Sequence, residues 1–321
     1  MTDTTRSKRY RMVSKYYKET YGEKVYKLPV ALPLTCPNRD GSAGVGGCTF
    51  CGEIGAGYEN RPAWMTVRMQ LEENIAHIGP KYKAKKFIPY YQNFSNTYLN
   101  LDDFKSYIEQ GCIDKAVGIA IATRPDCIAD EYLEILADIG DRFHKDIYIE
   151  LGLQTVNYDT LEKINRGHDL AQFIDAVLRI KRYGFNITTH MIVNLPWDTM
   201  KDTIEGARIL SALGVDQVKL HALYIVKNTL MAKWYQEGQF TLISAEEYAD
   251  RVVNFVRHLH PDIVLQRLVG RAPEDNTLFT NWSMGWWRVQ DLIDDKLDEL
   301  DAHQGDLCDY LNGKAVRKFI D

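Results

Sequence analysis

Six short apolar runs alternate with segments of helical period through the middle of the chain, and this alternation restricts the fold more than any other feature. The runs are 24–32, 86–92, 116–122, 147–152, 186–193 and 216–222. Amphipathic segments near 66–78, 101–110, 130–140, 169–183 and 200–213 separate them, with Phe173, Val177 and Ile180 at helical spacing in one of these. Strands divided by helices predict a parallel sheet of βαβ units. Right-handed crossovers then leave a barrel or partial barrel, or an open doubly wound sheet.

The loops decide between the two. Each run is followed by a polar or glycine-bearing stretch: the cysteine loop, 92–98, 123–126, 150–155, 194–198 and 224–229. Reactive side chains after many successive strands fit a barrel whose functional face is its C-terminal rim. A doubly wound sheet would gather them at one switch point. The expected architecture is therefore α/β, a partial (βα)6 TIM-like barrel over 24–230. A basic helical segment, 1–23, precedes it. A C-terminal extension, 231–321, packs on it, with a helix over 245–260, a strand over 263–269 and a terminal helix from 286.

Composition narrows the class. At 45% hydrophobic, 321 residues can bury a sizeable core, and no apolar run reaches the roughly 18–20 residues that span a bilayer. The polar N-terminus has no apolar h-region, so a cytoplasmic protein is expected. Six cysteines in such a chain point to metal binding or free thiols rather than disulfides. The net charge of −5 gives no global drive toward nucleic acid. Basic residues nevertheless cluster over 6–28 and 81–86, and acidic ones over 291–301. Such clusters serve either as solvated faces or as local phosphate-binding patches.

Cys36, Cys48 and Cys51 read Cys-x11-Cys-x2-Cys in the glycine-rich loop after the first run. Three thiolates suit a metal centre with one open position, whereas a closed zinc site or a fully protein-ligated iron–sulfur cluster takes four ligands. One reading is a [4Fe–4S] cluster whose unique iron binds a chelating ligand, with Phe50 shielding it. The other is a zinc knot completed by Cys112, Cys127 or a histidine, in a non-catalytic interaction protein.

Two further stretches extend the pattern: Tyr90-Tyr-Gln-Asn-Phe-Ser-Asn-Thr-Tyr98, and Glu150-Leu-Gly-Leu-Gln-Thr155 leading to Asn165-Arg-Gly-His168. With the cysteine loop they make the chain resemble a radical S-adenosylmethionine (SAM) enzyme of the branch related to the Elongator catalytic subunit. Within it, the chain is similar to the compact bacterial YhcC/YtqA group. The resemblance covers residues 25–225, and the first cysteine gap is longer than the shortest family spacing, as in related branches.

The resemblance implies a [4Fe–4S] cluster on Cys36, Cys48 and Cys51, and reductive cleavage of SAM to a 5′-deoxyadenosyl radical. It implies that Gln92, Ser95, Asn96 and Thr97 form the loop for the SAM amino group. Glu150 takes the ribose hydroxyls with Gln154 beside it, and Arg166 takes the methionine carboxylate. Phe50 and the backbone from Ile192 to Leu195 flank the adenine. A charge inside an apolar strand is costly unless it is used, which also singles out Glu150. Cys127, His190 and His221 are further catalytic candidates, and His168 is expected to fix its loop. The run Trp282–Trp287 with Phe279 is read as core or lid packing, with substrate stacking as the alternative.

No second cysteine set is visible, so an external electron donor such as flavodoxin or ferredoxin is implied. The expected substrate is tRNA, at the 5-position side chain of the wobble uridine, by carboxymethylaminomethyl-to-aminomethyl remodelling. The chain leaves no room after the barrel for the acetyltransferase domain of Elongator-like relatives. A small metabolite or cofactor precursor is the alternative substrate.

Overall fold

The computed structural model describes residues 8–53, 55, 59–270 and 275–320. Helix α1 (Val13–Tyr21) precedes strand β1 (Val25–Val30), and five βα units follow. These are α2 (Val67–Tyr82), β2 (Lys86–Tyr91), α3 (Leu101–Gln110), β3 (Gly118–Thr123), α4 (Asp130–Phe143) and β4 (Asp146–Gln154). Then come α5 (Tyr158–Lys163), α6 (Leu170–Arg182), β5 (Asn186–Ile192), α7 (Met200–Leu213) and β6 (Gln217–His221). The remainder holds β7 (Ile225–Val226), α8 (Leu230–Gln236), α9 (Ala245–His258), β8 (Val264–Arg267), β9 (Thr277–Phe279) and α10 (Trp286–Glu299).

The expected strands pair in parallel and in sequence order, and β8 adds a seventh strand beside β6. β7 and β9 form a separate antiparallel pair. Alternation along β4 shows how the layers arise. Ile147, Ile149, Leu151 and Leu153 join the core under the helices, while Tyr148 packs with Ile88, Tyr90 and Ala120 on the opposite, concave face. The sheet curls enough that Lys27 Nζ on β1 donates to Gln266 Oε1 on β8 at 3.1 Å, so side chains of the two edge strands meet across the lumen. No helix among the described residues is long and apolar enough to cross a membrane.

The N-terminal segment occupies the gap that this curling leaves. Leu265 N donates to Arg11 O at 2.8 Å and Met12 bridges Leu265 in parallel, so the segment borders β8 before α1 packs against both β8 and β1. From α1, Tyr17 is buried and sets its ring edge-on to Tyr148, 6.3 Å between centroids. Tyr21 donates to Asp146 at 2.5 Å. These tyrosines stopper the N-terminal mouth of the lumen. Tyr17→Ala removes that plug, and we expect a loss of about 3–5 kcal/mol in urea denaturation, the usual cost of truncating a large buried aromatic. A loss under ~1 kcal/mol would show that the helix only rests on the barrel.

The two charge blocks at the chain ends pair with each other. Lys8 bonds Asp294, and Arg9 bonds Asp298 and, at 2.8 Å, Asp301, all on or just after α10. Arg11 donates to Asp262 O at 2.7 Å. Lys8 and Arg9, two of the N-terminal cations, thus clamp the acidic C-terminal helix. Most of the aromatic run is packing: Trp282 Nε1 donates to Ile243 O at 2.7 Å, with its ring 5.1 Å from Tyr248, and Trp286 packs on the core, while Trp287 stays exposed.

Candidate active site

The cysteine loop leaves the C-terminal end of β1 and is pinned from the corner after α5. Thr49 N donates to Ile164 O at 3.0 Å, and Asn165 Nδ2 donates to Val45 O at 3.1 Å and Gly47 O at 2.8 Å. Asn38 Nδ2 returns a bond to Asn165 O at 2.5 Å. Gly167 has φ +73°, and a Cβ there would lie 2.6 Å from Asn38 Oδ1, so only glycine fits. The Asn-Arg-Gly-His signature is therefore a buttress for the cysteine loop.

Each of the three sulfurs faces one guanidinium. Arg166 Nη1 is 3.5 Å from Cys48 Sγ, Arg39 Nη2 is 3.3 Å from Cys51 Sγ, and Arg124 Nη1 is 4.0 Å from Cys36 Sγ. All three are held from behind. Arg166 forks onto Gly152 O at 3.1 and 2.6 Å, and Arg124 forks onto Asp126 at 2.9 and 2.6 Å. Arg39 also donates to Cys51 O at 3.2 Å. Burial pushes the Cys51 thiol up, with the charge of Cys48 adding and Arg39 opposing. Cationic neighbours favour thiolates, the ligating form.

The three cysteines line one cleft of about 150 Å³. Among the described residues no three His, Cys, Asp or Glu side chains converge to hold a single metal ion. A spread of three thiolates with cationic backing and space beside it fits a multi-iron cluster carrying a bound co-ligand better than a zinc knot. Arg39 and Arg124 were not singled out in the sequence. Arg39 lies only three residues after Cys36, and Arg124 ends β3 in a rim loop, which is the signal that was there to read.

The other expected cofactor contacts divide. Phe50, Gln92, Glu150, Gln154 and Arg166 line the cleft. Gln154 has φ +78° at a break in the β4–β5 register, which turns the strand end at the rim. Ile192 and Leu195 share an apolar cluster with Ile164 and Leu223, against which Phe50 packs. Ser95, Asn96 and Thr97 are buried and do not line the cleft. Asn96 Nδ2 bonds the carbonyls of Tyr91, Asn93 and Ala122 at 2.9–3.1 Å, and Thr97 Oγ1 donates to Cys127 O at 2.7 Å. They shape the loop; Gln92 and Phe94 present it. Cys127 lies behind them, its thiol pushed up to about 11 by burial and by Asp126.

Glu150 is not the lone charge that its apolar strand suggested. It is fully buried, salt-bridged to Lys27 from β1 and to Lys219 Nζ from β6 at 3.1 Å, and hydrogen-bonded by His190 Nε2 from β5 at 2.6 Å. Burial would raise its carboxyl, but Lys219, Lys27 and His190 outweigh that and hold it well below the ordinary range. A chain of contacts continues from His190 Nδ1 to His221 Nε2 at 3.3 Å and from His221 Nδ1 to Arg267 Nη2 at 2.7 Å. Arginine only donates and a carboxylate only accepts. The carboxylate therefore fixes His190 as the Nε2–H tautomer donating to Glu150, while Arg267 Nη2 lies against both ring nitrogens of His221, 3.2 Å from Nε2. Lys27, Lys219 and Arg267 come from strands far apart in sequence, and only Lys219, two residues before His221, shared a visible alternation.

Three histidines are neutral by construction. Burial, with Arg166 and Arg124, lowers His168 to about 2, and burial with Lys219 lowers His190 to about 4. His221 is held well below its ordinary value by burial and Arg267. A histidine whose folded pKa is depressed leaves the unfolded chain binding more protons below about 6.5, so stability falls as pH drops through that value. Each contributes about 1.4 kcal/mol per pH unit. We expect urea-denaturation stability to fall by roughly 3–5 kcal/mol between pH 7 and 5, with His168→Gln flattening part of the slope. A constant stability down to pH 5 would contradict this.

Comparison with known proteins places the arrangement. Residues 37–210 match the Radical SAM superfamily and residues 215–299 the Radical_SAM C-terminal domain. The Bacillus subtilis protein YtqA is 33% identical over 312 residues, covering 96% of this chain and 96% of YtqA. A tRNA uridine(34) acetyltransferase of Dehalococcoides mccartyi is 25% identical over 145 residues, 44% of this chain and 30% of that protein. Among solved structures, Methanocaldococcus infernus Elp3 with an N-terminal deletion superposes with a TM-score of 0.67 at 14% identity, over 87% of this chain and 64% of that one. The chain belongs to the radical SAM superfamily, as an enzyme of the Elongator-related branch in the group of YtqA, and its cofactors are a [4Fe–4S] cluster and SAM.

Proposed function

We propose that this enzyme remodels the 5-position side chain of the wobble uridine in tRNA, converting a carboxymethylaminomethyl group to aminomethyl. One hydrogen atom would leave the N–CH2 carbon to the 5′-deoxyadenosyl radical and one electron to the cluster, and hydrolysis of the resulting imine would release the two carbons as glyoxylate. The observation that carries the reading is the similarity to a tRNA uridine(34) acetyltransferase over 145 residues. The cleft opens at the rim, so a base splayed out of a single-stranded loop enters it as bases enter other modifying enzymes.

Cys36, Cys48 and Cys51 hold the cluster, and Phe50, Ile192 and Leu195 form the apolar wall for adenine. Glu150 takes the ribose hydroxyls with Gln154 beside it, and Gln92 presents the amino-group loop. Arg166 is committed to Gly152 O and Cys48, so its role toward SAM is to set the ligand sulfur, with the methionine carboxylate reaching its accessible edge. Bound there, cluster and SAM supply a one-electron cleavage that yields a 5′-deoxyadenosyl radical. The chain contributes orientation, a lumen that excludes bulk water, and the contact path from Arg267 to Glu150. Electrons come from an external flavodoxin or ferredoxin.

The test is anaerobic reconstitution with tRNA from cells lacking the gene, read by nucleoside mass spectrometry. The expected result is loss of carboxymethylaminomethyluridine, gain of aminomethyluridine, and 5′-deoxyadenosine formed in step. Unchanged tRNA from an enzyme that cleaves SAM would reject the proposal in favour of a small-molecule substrate.

A further inference from the structure

Below the cysteine cleft the lumen carries more positive charge than its own acid balances. Lys27, Lys219 and Arg267 converge there, and among the described residues Glu150 is the carboxylate they share. Arg267 forms no ion pair in that set; it donates Nη2 to His221 at 2.7 Å, and its Nε is buried without an acceptor. Each lysine has a donor to spare. Lys219 Nζ uses Glu150 at 3.1 Å and Tyr90 Oη at 3.3 Å, and Lys27 Nζ uses Glu150 and Gln266. Both remain reachable, with 16% of the Lys27 and 11% of the Lys219 side chain accessible. Tyr90 and His190, which touch this network, line the floor of the cleft.

Uncompensated buried charge is costly. The cost registers on Lys219, which burial lowers to about 7 against the pull of Glu150, and on Arg267, which burial also lowers. A protein keeps such an excess where an anion completes it.

We propose that the lumen floor is a carboxylate subsite in which Lys219, Lys27 and Arg267 hold the terminal carboxylate of the substrate side chain. The inference deepens the proposed function and rests on its site. A carboxylate suits an arginine edge flanked by two ammonium groups. The subsite adjoins the cleft through Tyr90, Glu150 and His190, which line it and contact these cations or their partner.

The test uses reconstituted holoenzyme with SAM bound, so that SAM's own carboxylate is accounted for. N-acetylglycine, its neutral amide and methyl phosphate are titrated by calorimetry. The expected result is binding of N-acetylglycine at least tenfold tighter than the amide or methyl phosphate. Lys219→Gln and Arg267→Gln each weaken it tenfold or more, with wild-type circular dichroism confirming the fold. Equal binding of acid and amide, binding of neither, or preference for methyl phosphate overturns the subsite, and the wild-type comparison stands even where a variant fails to fold. Should N-acetylglycine bind through these residues while tRNA stays unmodified, the tRNA reading falls and the subsite stands. Should tRNA be remodelled while acid and amide bind alike, the reverse holds.

Discussion

Cys48→Ser should abolish cluster assembly and SAM cleavage while leaving the barrel folded. Cys48 is the most buried of the three cysteines and the one tied most directly to the β4 end, since Arg166 bridges its sulfur to Gly152 O. Serine keeps the volume of the site and its contact with Asn38, so packing is preserved; what goes is the soft thiolate that iron needs. With two cysteines left, a cluster has two open positions and too few anchors. Reconstituted Cys48→Ser is expected to hold a small fraction of wild-type iron, to lack the visible absorption, and to form no detectable 5′-deoxyadenosine. Cys112→Ser and Cys127→Ser are the contrasting arms. Cys112 donates to Ile108 O at the far end of α3, and Cys127 lies behind the loop after β2. Both variants should keep wild-type iron and cleavage. Iron retained in Cys48→Ser but lost in Cys127→Ser would relocate the ligand set.

What the sequence disclosed and what it hid divide along a physical line. Strand order, the cysteine loop and the rim loops were legible because each depends on residues close together in the chain. The buttress role of Asn165 to His168 was legible as a motif but not as a mechanism, since Asn38 and Gly47 become its partners only through folding. Ser95, Asn96 and Thr97 read as ligand-facing because small polar residues after a strand serve equally for binding and for tying a loop. Here Asn96 bonds the backbone of β2 and β3, Ser95 and Thr97 the Thr123 hydroxyl, and Thr97 also the Cys127 carbonyl. The clamp between Lys8, Arg9 and α10 joins opposite ends of the chain, so each charge block looked solvated alone. Glu150 misled for the same reason. Its partners Lys27 and Lys219 lie 123 and 69 residues away, and each sits in a strand whose other face is apolar.

Glu150→Ala is expected to be the most destabilising single change outside the cysteine loop. It leaves Lys27 and Lys219 buried together without their shared acid, and His190 without its acceptor. Breaking a buried ion pair from one side costs about 3–5 kcal/mol, most of it the cost of the stranded charge. Glu150→Gln should fare little better, because it keeps the shape but not the charge. The discriminating variant is the double change Glu150→Gln with Lys219→Met, which withdraws a stranded cation along with the anion. If stranded charge is the cause, the double variant regains a large part of what Glu150→Gln lost; if packing is the cause, the losses add. The pH dependence carries a second sign. Because Glu150 is held well below its ordinary value, its stabilisation is present above about pH 4.5 and fades as pH falls through the folded value. In urea denaturation, wild type and Glu150→Gln should therefore differ most near neutral pH and converge in acid. A gap that stays constant into acid would mean that the carboxylate's charge does not hold the lumen together.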